Sequence, residues 1–437
     1  MDLPENIDLL RGWPNYALLP TADLLRSATT ALTTPSIAAD GLAYGPDEGY
    51  EPLRVHIAQW LESFYRPTGR ITSSRICITG GASQNLAIVL QVFTDPVYTR
   101  NVWMVDPTYH LACRMMDDAG FAGRARAVPE DGEGIDLKFL ERGLEASERE
   151  AIDAGNVEPK LKPARPWRKI YKHVIYCVPT FANPSGKIMS LGHREQLVRL
   201  ARKYDALLVT DDVYDFLQWS STTDGELKDP DLAFVPRLVD VDRYLDGGPL
   251  DDWGHTLSNG SFSKLIGPGA RTGWAEASDK IAYGLSQAGS SRSGGAPSQL
   301  ASTVVDQLFP DFLPQYLRHK LQPAYAERYH AIMAAIQKYL VPLGASADAP
   351  SATVAGGYFI WITLPSPILA ADVVKRARDE ENLTLGSGTV FQVAADLQLA
   401  TNRFQDSLRL CFAWEEPGNL TEGVRRFGRV LARLIHT

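Results

Sequence analysis

The sequence HVIYCVPTFANPSGKIMSLGHREQLVRLARKYDALLVTDDV, residues 173–213, predicts a strand, a helix and a second strand in succession. Its two ends, HVIYCVP and ALLVTDDV, are continuous apolar runs, whereas LGHREQLVRLARKY places apolar residues at helical intervals. Strands that are apolar at successive positions are covered on both faces, which is typical of a parallel sheet whose strands are joined by right-handed helical crossovers. This stretch therefore predicts an α/β fold, with its chemistry at the carboxyl ends of the strands.

The same alternation extends over most of the chain. From about Ser74, RICIT and NVWMVD predict further strands, and ASQNLAIVLQVF and YHLACRMMDDA predict the helices that follow them. From about Phe309, long helical patterns, the strands GGYFIWITLP and DSLRLCFAW, and a terminal helix in LTEGVRRFGRVLARLIH predict a smaller α+β domain. We therefore expect a three-layer α/β/α large domain with a mostly parallel sheet, followed by this smaller domain.

Two stretches interrupt the alternation. Residues 144–171 and 220–255 are rich in proline, glycine and charge, which is typical of surface excursions. The segment PRLVDVDRYL, within the second stretch, predicts an added strand or a lid.

Composition argues against several kinds of partner. The 437 residues carry a formal net charge of -8, and lysine and arginine are scattered, so neither nucleic acid nor an anionic membrane is an expected partner. No apolar run approaches ~20 residues, and the opening MDLPENIDLL lacks the basic and then apolar pattern of a secretory signal. The four cysteines lie far apart, which predicts buried free thiols. We expect a cytoplasmic protein without a metal site.

The stretch SNGSFSKLIGPGARTGW, residues 258–274, holds a single lysine between two predicted strand ends. A lysine in such a loop is most often a solvated side chain. Lys264 would instead sit at the edge of a buried sheet, where desolvation lowers the pKa of an amine and prepares it to form a Schiff base with a carbonyl.

Four other turns follow predicted strands and carry candidate ligand-binding groups. TGGASQN, residues 79–85, places glycines at a helix start, where backbone N–H groups can hold a phosphate. VDPTYH supplies Tyr109, whose ring can stack on a planar ligand, and PTFANPSG supplies Asn183 as a hydrogen-bond donor. In VTDDVYD, Asp211 ends an apolar run, where a carboxylate needs a cationic or hydrogen-bonding partner. Each alone is also compatible with an ordinary turn, a packed tyrosine or a solvated aspartate.

Together these turns match one ligand, pyridoxal 5′-phosphate. The motifs, in this order and over nearly the whole length, resemble those of fold-type-I pyridoxal-phosphate enzymes of the class I/II aminotransferase family, and most closely the 2-aminoadipate and aromatic aminotransferase branch. The resemblance implies an aspartate aminotransferase-like fold with an N-terminal segment, residues 1–40, that joins the small domain. It further implies a large cofactor-binding domain over residues 41–308 and a small domain over residues 309–437.

The resemblance also implies the role of each site residue. Lys264 resembles the Schiff-base lysine, Asp211 the partner of the pyridine nitrogen, and Tyr109 the ring that stacks on the cofactor. Arg271 resembles the arginine that pairs with the cofactor phosphate, since a guanidinium offers bidentate hydrogen bonds to phosphate. The other implied cofactor contacts are Tyr44, Gly81, Ala82, Ser83, Asn183, Tyr214, Ser261 and Ser263.

Other motifs bear on the substrate and on assembly. LAYGPDEGYEPLR resembles the segment whose tyrosine, here Tyr44, reaches the phosphate of the neighbouring subunit, which implies a homodimer with shared active sites. Arg409 in SLRLCF resembles the arginine that binds the substrate α-carboxylate, and Gly12 and Asn183 are further substrate contacts. Arg292 is a candidate for binding a distal carboxylate.

The implied activity is transfer of an amino group from an L-α-amino acid to a 2-oxo acid by a ping-pong mechanism. Two alternatives stay open at this point. Another pyridoxal-phosphate reaction, such as elimination or replacement, decarboxylation or oxidation, would use the same anchors, because the cofactor carries the chemistry. A ligand-sensing, non-enzymatic homologue is the second alternative.

Overall fold

The computed structural model describes residues 5–347, 350–393 and 403–436. The strands, in chain order, are β1 (Ile7–Asp8), β2 (Ile76–Thr79), β3 (Val102–Asp106), β4 (Ala125–Asp131), β5 (Gly134–Ile135), β6 (His173–Cys177), β7 (Ala206–Asp211), β8 (Gln218–Ser220), β9 (Thr256–Ser261), β10 (Gly273–Ala277), β11 (Ser346–Ala347), β12 (Val354–Gly356), β13 (Phe359–Thr363), β14 (Leu383–Thr384), β15 (Gly386–Ser387) and β16 (Ser407–Cys411).

The helices join and cover these strands. They are α1 (Thr21–Thr33), α2 (Pro35–Leu42), α3 (Glu51–Tyr65), α4 (Ala82–Phe93), α5 (His110–Met116), α6 (Leu137–Asp153), α7 (Leu191–Lys203), α8 (Leu238–Val241), α9 (Asp279–Ser286), α10 (Gly289–Arg292), α11 (Gln299–Asp306), α12 (Phe312–Tyr316), α13 (Gln322–Tyr339), α14 (Ala370–Glu381) and α15 (Pro417–Ile435).

An eight-stranded sheet in the order β2-β10-β9-β7-β6-β3-β4-β5 forms the centre of the molecule. The pairs β3–β4, β3–β6, β6–β7 and β7–β9 are parallel, whereas β10 runs antiparallel to β2 and β9. Val174 and Tyr176 of β6 pack into one hydrophobic core cluster, and Ile175 and Cys177 pack into another. Strand β6 is therefore covered on both faces, and the predicted α/β class is confirmed.

The carboxyl-terminal part forms a second, smaller layer. Strands β11, β13, β16 and β15 make an antiparallel sheet, and α14 and α15 belong to the same region of the chain. Strand β1 pairs in parallel with β14, so the start of the described chain lies against this region. Helices α1 and α2 instead pack against α11. The domain boundaries at residues 40 and 308 stay predictions.

The prediction that residues 144–171 and 220–255 are surface excursions is partly wrong. Helix α6 continues to Asp153, and its Leu144 is fully buried, so residues 144–171 begin inside the fold. In residues 220–255, the predicted strand or lid is a short buried helix, α8. Its N-cap residue Arg237 is 1% exposed and pairs with Asp240 and with Glu276 of β10. The charges of Arg237 and Asp240 therefore pair inside the protein instead of facing water.

Candidate active site

A cavity of about 1260 Å³ lies where the carboxyl ends of the parallel strands meet. Strand β7 ends at Asp211, strand β9 ends at Ser261, and helix α4 begins at Ala82, and all three residues line this cavity. Side chains that follow parallel strands converge at one edge of the sheet, which explains why distant turns of the sequence meet here.

Lys264 ends a single 3₁₀ turn, Phe262–Lys264, that directly follows β9. The turn is held by Ser261, whose hydroxyl accepts a hydrogen bond from the Ser263 N–H at 3.2 Å. The Lys264 amine donates to the Gly12 carbonyl oxygen at 2.9 Å and lies 5.2 Å from the centre of the Tyr358 ring. Burial, helped by the positive charge of Arg409, lowers the pKa of Lys264 to about 8.

Asp211 is the acidic residue that lines the cavity. The Tyr176 hydroxyl donates to its Oδ2 at 3.0 Å, whereas its buried Oδ1 has no hydrogen-bond partner among the described residues. Burial raises the pKa of Asp211 to about 7, and the neighbouring charge of Asp212 adds to the increase. A carboxylate oxygen left unsatisfied in the interior is costly, so Oδ1 marks a place for a hydrogen-bond donor or a cation.

The start of α4 forms a cradle suited to an anion. Gly81 precedes the helix with φ of +99°, and a Cβ at this position would lie 2.9 Å from Nη2 of Arg271, so a larger residue would displace the guanidinium. Arg271 donates to the Gly80 carbonyl oxygen at 2.8 Å. Ser83 and Arg271 line the cavity, which brings N–H groups of a helix start and a guanidinium to one end of it.

Arg409 of β16 supplies a second anion-binding group. Its guanidinium carbon lies 4.1 Å from the ring centre of Phe359 and 4.4 Å from that of Phe391, which fixes its plane. One nitrogen donates to Oδ1 of Asn183 at 2.9 Å and another to the Leu10 carbonyl oxygen at 2.7 Å. Its buried Nε has no partner in the described part of the chain.

The N-terminal segment passes directly over these groups. Gly12 lines the cavity, and a Cβ at this position would meet Cζ of Phe359 at 2.9 Å, so the segment can lie this close only without a side chain. The carbonyls of Leu10 and Gly12 hold Arg409 and Lys264, respectively. The segment therefore holds the side chains of Arg409 and Lys264 at one wall of the cavity.

Two tyrosines complete the polar lining. Tyr109, the N-cap residue of α5, lines the cavity, and burial together with the charge of Asp211 raises the pKa of its phenol. Tyr214 is buried, with its ring centre 5.5 Å from that of Tyr358, and burial raises the pKa of its phenol well above the usual value. Both hydroxyls therefore stay protonated near neutral pH and can donate hydrogen bonds.

The structure brings most of the predicted site residues to this cavity. Those that line it are Gly12, Ala82, Ser83, Tyr109, Asn183, Asp211, Tyr214, Ser261, Ser263, Lys264, Arg271 and Arg409. Gly81 lies beside the lining, against Arg271. Tyr44 is not among the lining residues and is 90% exposed. Arg292 also lies outside the cavity of its own chain, and its guanidinium pairs with Asp47 at the surface, so its role in binding a distal carboxylate stays a prediction.

The described residues contain no group of three or more His, Cys, Asp or Glu side chains that could hold a metal ion. None of their helices combines the length and the apolarity that a membrane crossing requires.

Sequence reasoning missed three residues that shape the site. Tyr176 lies inside the buried strand β6, where a hydroxyl needs a partner, and this was a usable signal. Phe359 and Phe391, which enclose Arg409, gave no such signal, because a phenylalanine in an apolar run is an ordinary core residue.

Comparison with known proteins agrees with this geometry. The family model described as aminotransferase class I and II matches residues 18–427. An uncharacterized protein of Saccharomyces cerevisiae is 35% identical, with 98% of this chain and 97% of that protein covered. The 2-aminoadipate transaminase of Thermus thermophilus is 28% identical, with 99% and 91% covered.

A solved structure extends the similarity to the fold. The crystal structure of LysN, an α-aminoadipate aminotransferase of Thermus thermophilus complexed with N-(5′-phosphopyridoxyl)-L-leucine, has a TM-score of 0.75 and 26% identity. The match covers 99% of this chain and 93% of that chain. This chain is therefore a member of the aminotransferase class I and II family.

Proposed function

We propose that this aminotransferase uses pyridoxal 5′-phosphate to move an amino group from an L-α-amino acid to a 2-oxo acid by a ping-pong mechanism. The observation that supports it most strongly is the pair Asp211 and Lys264 in one cavity. Oδ1 of Asp211 lacks a partner among the described residues, and the pKa of Lys264 is lowered to about 8. This cofactor needs a carboxylate that can pair with its ring nitrogen and an amine whose pKa lies close to neutral pH.

The cavity residues fit the cofactor group by group. Lys264 would hold its aldehyde carbon, Asp211 its ring nitrogen, and the start of α4 with Arg271 its phosphate. Ser261 and Ser263 are further candidates for the phosphate, Tyr109 for stacking on the ring, and Asn183 and Tyr214 for the phenolic oxygen. When bound, pyridoxal phosphate supplies an electron sink that accepts the electron pair left when the substrate Cα loses its proton.

The protein's own groups would carry the remaining steps. Arg409 would bind the substrate α-carboxylate through its unpartnered Nε–H, because a carboxylate satisfies that buried donor. The Lys264 amine, once released from the cofactor, would accept the proton from the substrate Cα, and the resulting ammonium would donate it to the former aldehyde carbon of the cofactor. Its pKa of about 8 suits this role, since general acid–base catalysis works best when the pKa lies near the working pH.

Half-reaction spectroscopy tests the reaction. The purified holoenzyme is mixed with a panel of L-amino acids in the absence of any 2-oxo acid. We expect loss of the cofactor band near ~420 nm, a new band near ~330 nm, and one equivalent of 2-oxo acid released. Lys264→Ala should fail, whereas Lys280→Ala, which removes a surface lysine paired with Asp252, should react normally.

Two results would contradict the proposed reaction. Release of ammonia or carbon dioxide, or oxygen uptake, without conversion of the cofactor to its amino form would indicate a different pyridoxal-phosphate reaction. If the protein incubated with pyridoxal phosphate shows no cofactor band, the cofactor assignment is wrong.

We also propose a homodimer with shared active sites. Tyr44 is 90% exposed, and Leu25 and Leu42 on α1 and α2 are each 70% exposed, so the N-terminal part of the chain presents apolar side chains that a second subunit would cover. Mixing Tyr44→Ala with Lys264→Ala subunits tests it. If Tyr44 acts across the interface, mixed dimers contain one intact site, and up to about a quarter of wild-type activity returns. No recovery after confirmed subunit exchange would refute a shared site.

We finally propose a cytoplasmic location. The four cysteines are all buried and free, which suits a reducing compartment. Fractionation of cells that carry the tagged full-length chain would check this.

A further inference from the structure

A second cavity, of about 680 Å³, is lined by residues of 56–64 on α3, by Phe216, by residues 230–231 and by residues of 309–322. Among the described lining residues, none is shared between this outer cavity and the active-site cavity. We propose that the outer cavity binds a small, uncharged, planar aromatic ligand that carries an N–H donor, of the indole type. Its volume is typical of pockets that enclose a small organic molecule.

The floor of the outer cavity is aromatic. Trp60 and Phe64 of α3 and Phe216, which lies between β7 and β8, are all buried. The rings of Trp60 and Phe216 stack with their centroids 3.9 Å apart, and Phe309 meets Trp60 edge to face at 5.7 Å. A planar apolar ring that enters the cavity would displace water from this surface, and aromatic contacts favour it beyond the apolar area that it buries.

The rim of the outer cavity is polar. Apart from one proline, the exposed lining residues are Gln59, Ser63, Asp231, Gln315, Arg318 and His319. Arg318 pairs with Asp231, which belongs to the stretch 220–255 that interrupts the strand–helix alternation. Nε2 of His319 lies 3.0 Å from Oε1 of Gln315. The charged groups of the described rim therefore already have partners, so a ligand without net charge suits the cavity best.

His56 supplies a hydrogen-bond acceptor to the outer cavity. Its Nδ1 lies 2.7 Å from Oδ1 of Asp306, and against an ionised carboxylate Nδ1 must carry the hydrogen. In the neutral ring Nε2 is then an acceptor, and it makes no hydrogen bond to another described residue. The ring stacks on Phe309 with centroids 5.8 Å apart. An N–H at the ligand edge would satisfy Nε2 while the ligand face lies on the aromatic floor.

The outer cavity lies behind the turn that carries Lys264. The ring of Phe309 has its centroid 6.3 Å from that of Phe262, the first residue of this turn. Phe262 also packs on Trp274 at 4.9 Å, and Trp274 meets Trp60 at 5.8 Å. A ligand on Trp60 and Phe309 would therefore lie one aromatic layer away from the active site, outside the space that a substrate occupies.

Calorimetry on the holoenzyme tests the proposal with three probes. They are indole, 1-methylindole, which lacks the N–H, and indole-3-carboxylate, which adds a negative charge. We expect indole to bind about fivefold more tightly than 1-methylindole, which is the effect of one net hydrogen bond. Indole should bind at least tenfold more tightly than indole-3-carboxylate, because the described rim offers the carboxylate no free cation.

Three variants locate the bound probe. Ser63→Trp fills the outer cavity from an exposed position and should weaken indole binding at least tenfold, whereas Glu145→Trp, at an exposed position of α6 outside the cavities, should leave it unchanged. His56→Phe keeps a ring against Phe309 but removes the acceptor, so indole should bind this variant only as tightly as 1-methylindole binds wild type. Thermal unfolding of each variant checks that the fold is intact.

Several results would overturn the proposal. Equal binding of indole to wild type and Ser63→Trp would place the probe elsewhere, the active-site cavity included. Absence of indole binding at millimolar concentration would remove the site, and tighter binding of indole-3-carboxylate would mean that it takes an anion. Equal affinities for indole and 1-methylindole would refute the role of His56. Because calorimetry needs no turnover, these outcomes do not depend on whether the enzyme performs transamination.

Discussion

Two clusters of charged side chains lie inside this protein, and they are built in opposite ways. The paired network consists of Arg75, Arg237, Asp240 and Glu276. Arg237 donates to both carboxylate oxygens of Asp240 at 2.9 Å and lies 2.9 Å from Glu276, whose other oxygen accepts from Arg75 at 2.8 Å. The cavity cluster consists of Asp211, Lys264 and Arg409, and it leaves Oδ1 of Asp211 and Nε of Arg409 without partners in the described chain.

The ionisation of the two clusters differs accordingly. In the paired network, burial opposes charge. Neighbouring charges outweigh it at Arg237, whose pKa is raised, and at Glu276, whose pKa is lowered, but burial still raises the pKa of Asp240. In the cavity cluster, burial dominates and favours the uncharged forms of Asp211 and Lys264. It raises the pKa of Asp211 to about 7 and lowers that of Lys264 to about 8. Arg237 and Glu276 are therefore held in their charged forms by their partners, whereas Asp211 and Lys264 are shifted toward their uncharged forms, which is typical of groups at functional sites.

Removing the amine of the cavity cluster should have the largest effect. We expect Lys264→Ala to lower kcat/KM for transamination at least ~1000-fold, since both the covalent anchor and the general base disappear. Stopped-flow kinetics with an L-amino acid would measure it, with Lys280→Ala as control. Near-normal turnover by folded Lys264→Ala would show that another group carries the proton.

Asp211→Asn should come next. It keeps an acceptor for the Tyr176 hydroxyl but removes the negative charge that we place against the ring nitrogen. An opposite charge at about 4 Å in a partly polar interior contributes about 4 kcal/mol, so we expect kcat to fall ~100-fold or more. Steady-state kinetics at saturating cofactor would measure this, and a loss below tenfold would argue against a charged partner at this position.

Breaking the paired network should act on stability instead of catalysis. Arg237→Met leaves Asp240 buried without its cation and removes one of the two arginines that pair with Glu276, which typically costs about 3–5 kcal/mol of the free energy of unfolding. Urea denaturation would measure it. Arg199→Ala, which breaks a surface pair with Asp246, should cost less than about 1 kcal/mol. Equal losses in the two variants would mean that burial of the network contributes nothing.

The lowered pKa of Lys264 predicts a pH dependence for cofactor attachment. With a pKa of about 8, the neutral amine fraction rises about tenfold between pH 7 and pH 9 and then levels off. The rate at which apoenzyme takes up pyridoxal phosphate should follow this curve. A rate that keeps rising toward pH 10.5 would indicate an ordinary, solvated lysine.

The same contrast explains what could be predicted from sequence. The alternation of buried strands and helices depends on short stretches such as β6 with α7, and it was confirmed. The position of Lys264 after a strand end likewise depends on a short stretch, and the structure places this lysine after β9 and in the cavity, while its role in binding a ligand stays a prediction. The paired network was missed because Arg237 and Glu276 lie far apart in sequence, and the composition around Arg237 is typical of a loop. Phe359 and Phe391 were missed because only tertiary packing places them around Arg409.

The stability of the apoprotein and holoprotein tests the central claim most directly. Because burial raises the folded-state pKa of Asp211, its ionised form reduces stability above pH 7, and this penalty fades as the pH falls toward 4. At pH 8 without cofactor, Asp211→Asn should therefore unfold at the same temperature as wild type or higher, while Arg237→Met unfolds earlier. Saturating pyridoxal phosphate should stabilise wild type more than Asp211→Asn. If Asp211→Asn is instead destabilised without cofactor as strongly as Arg237→Met, Asp211 is a structural charge, and the distinction between the two clusters fails.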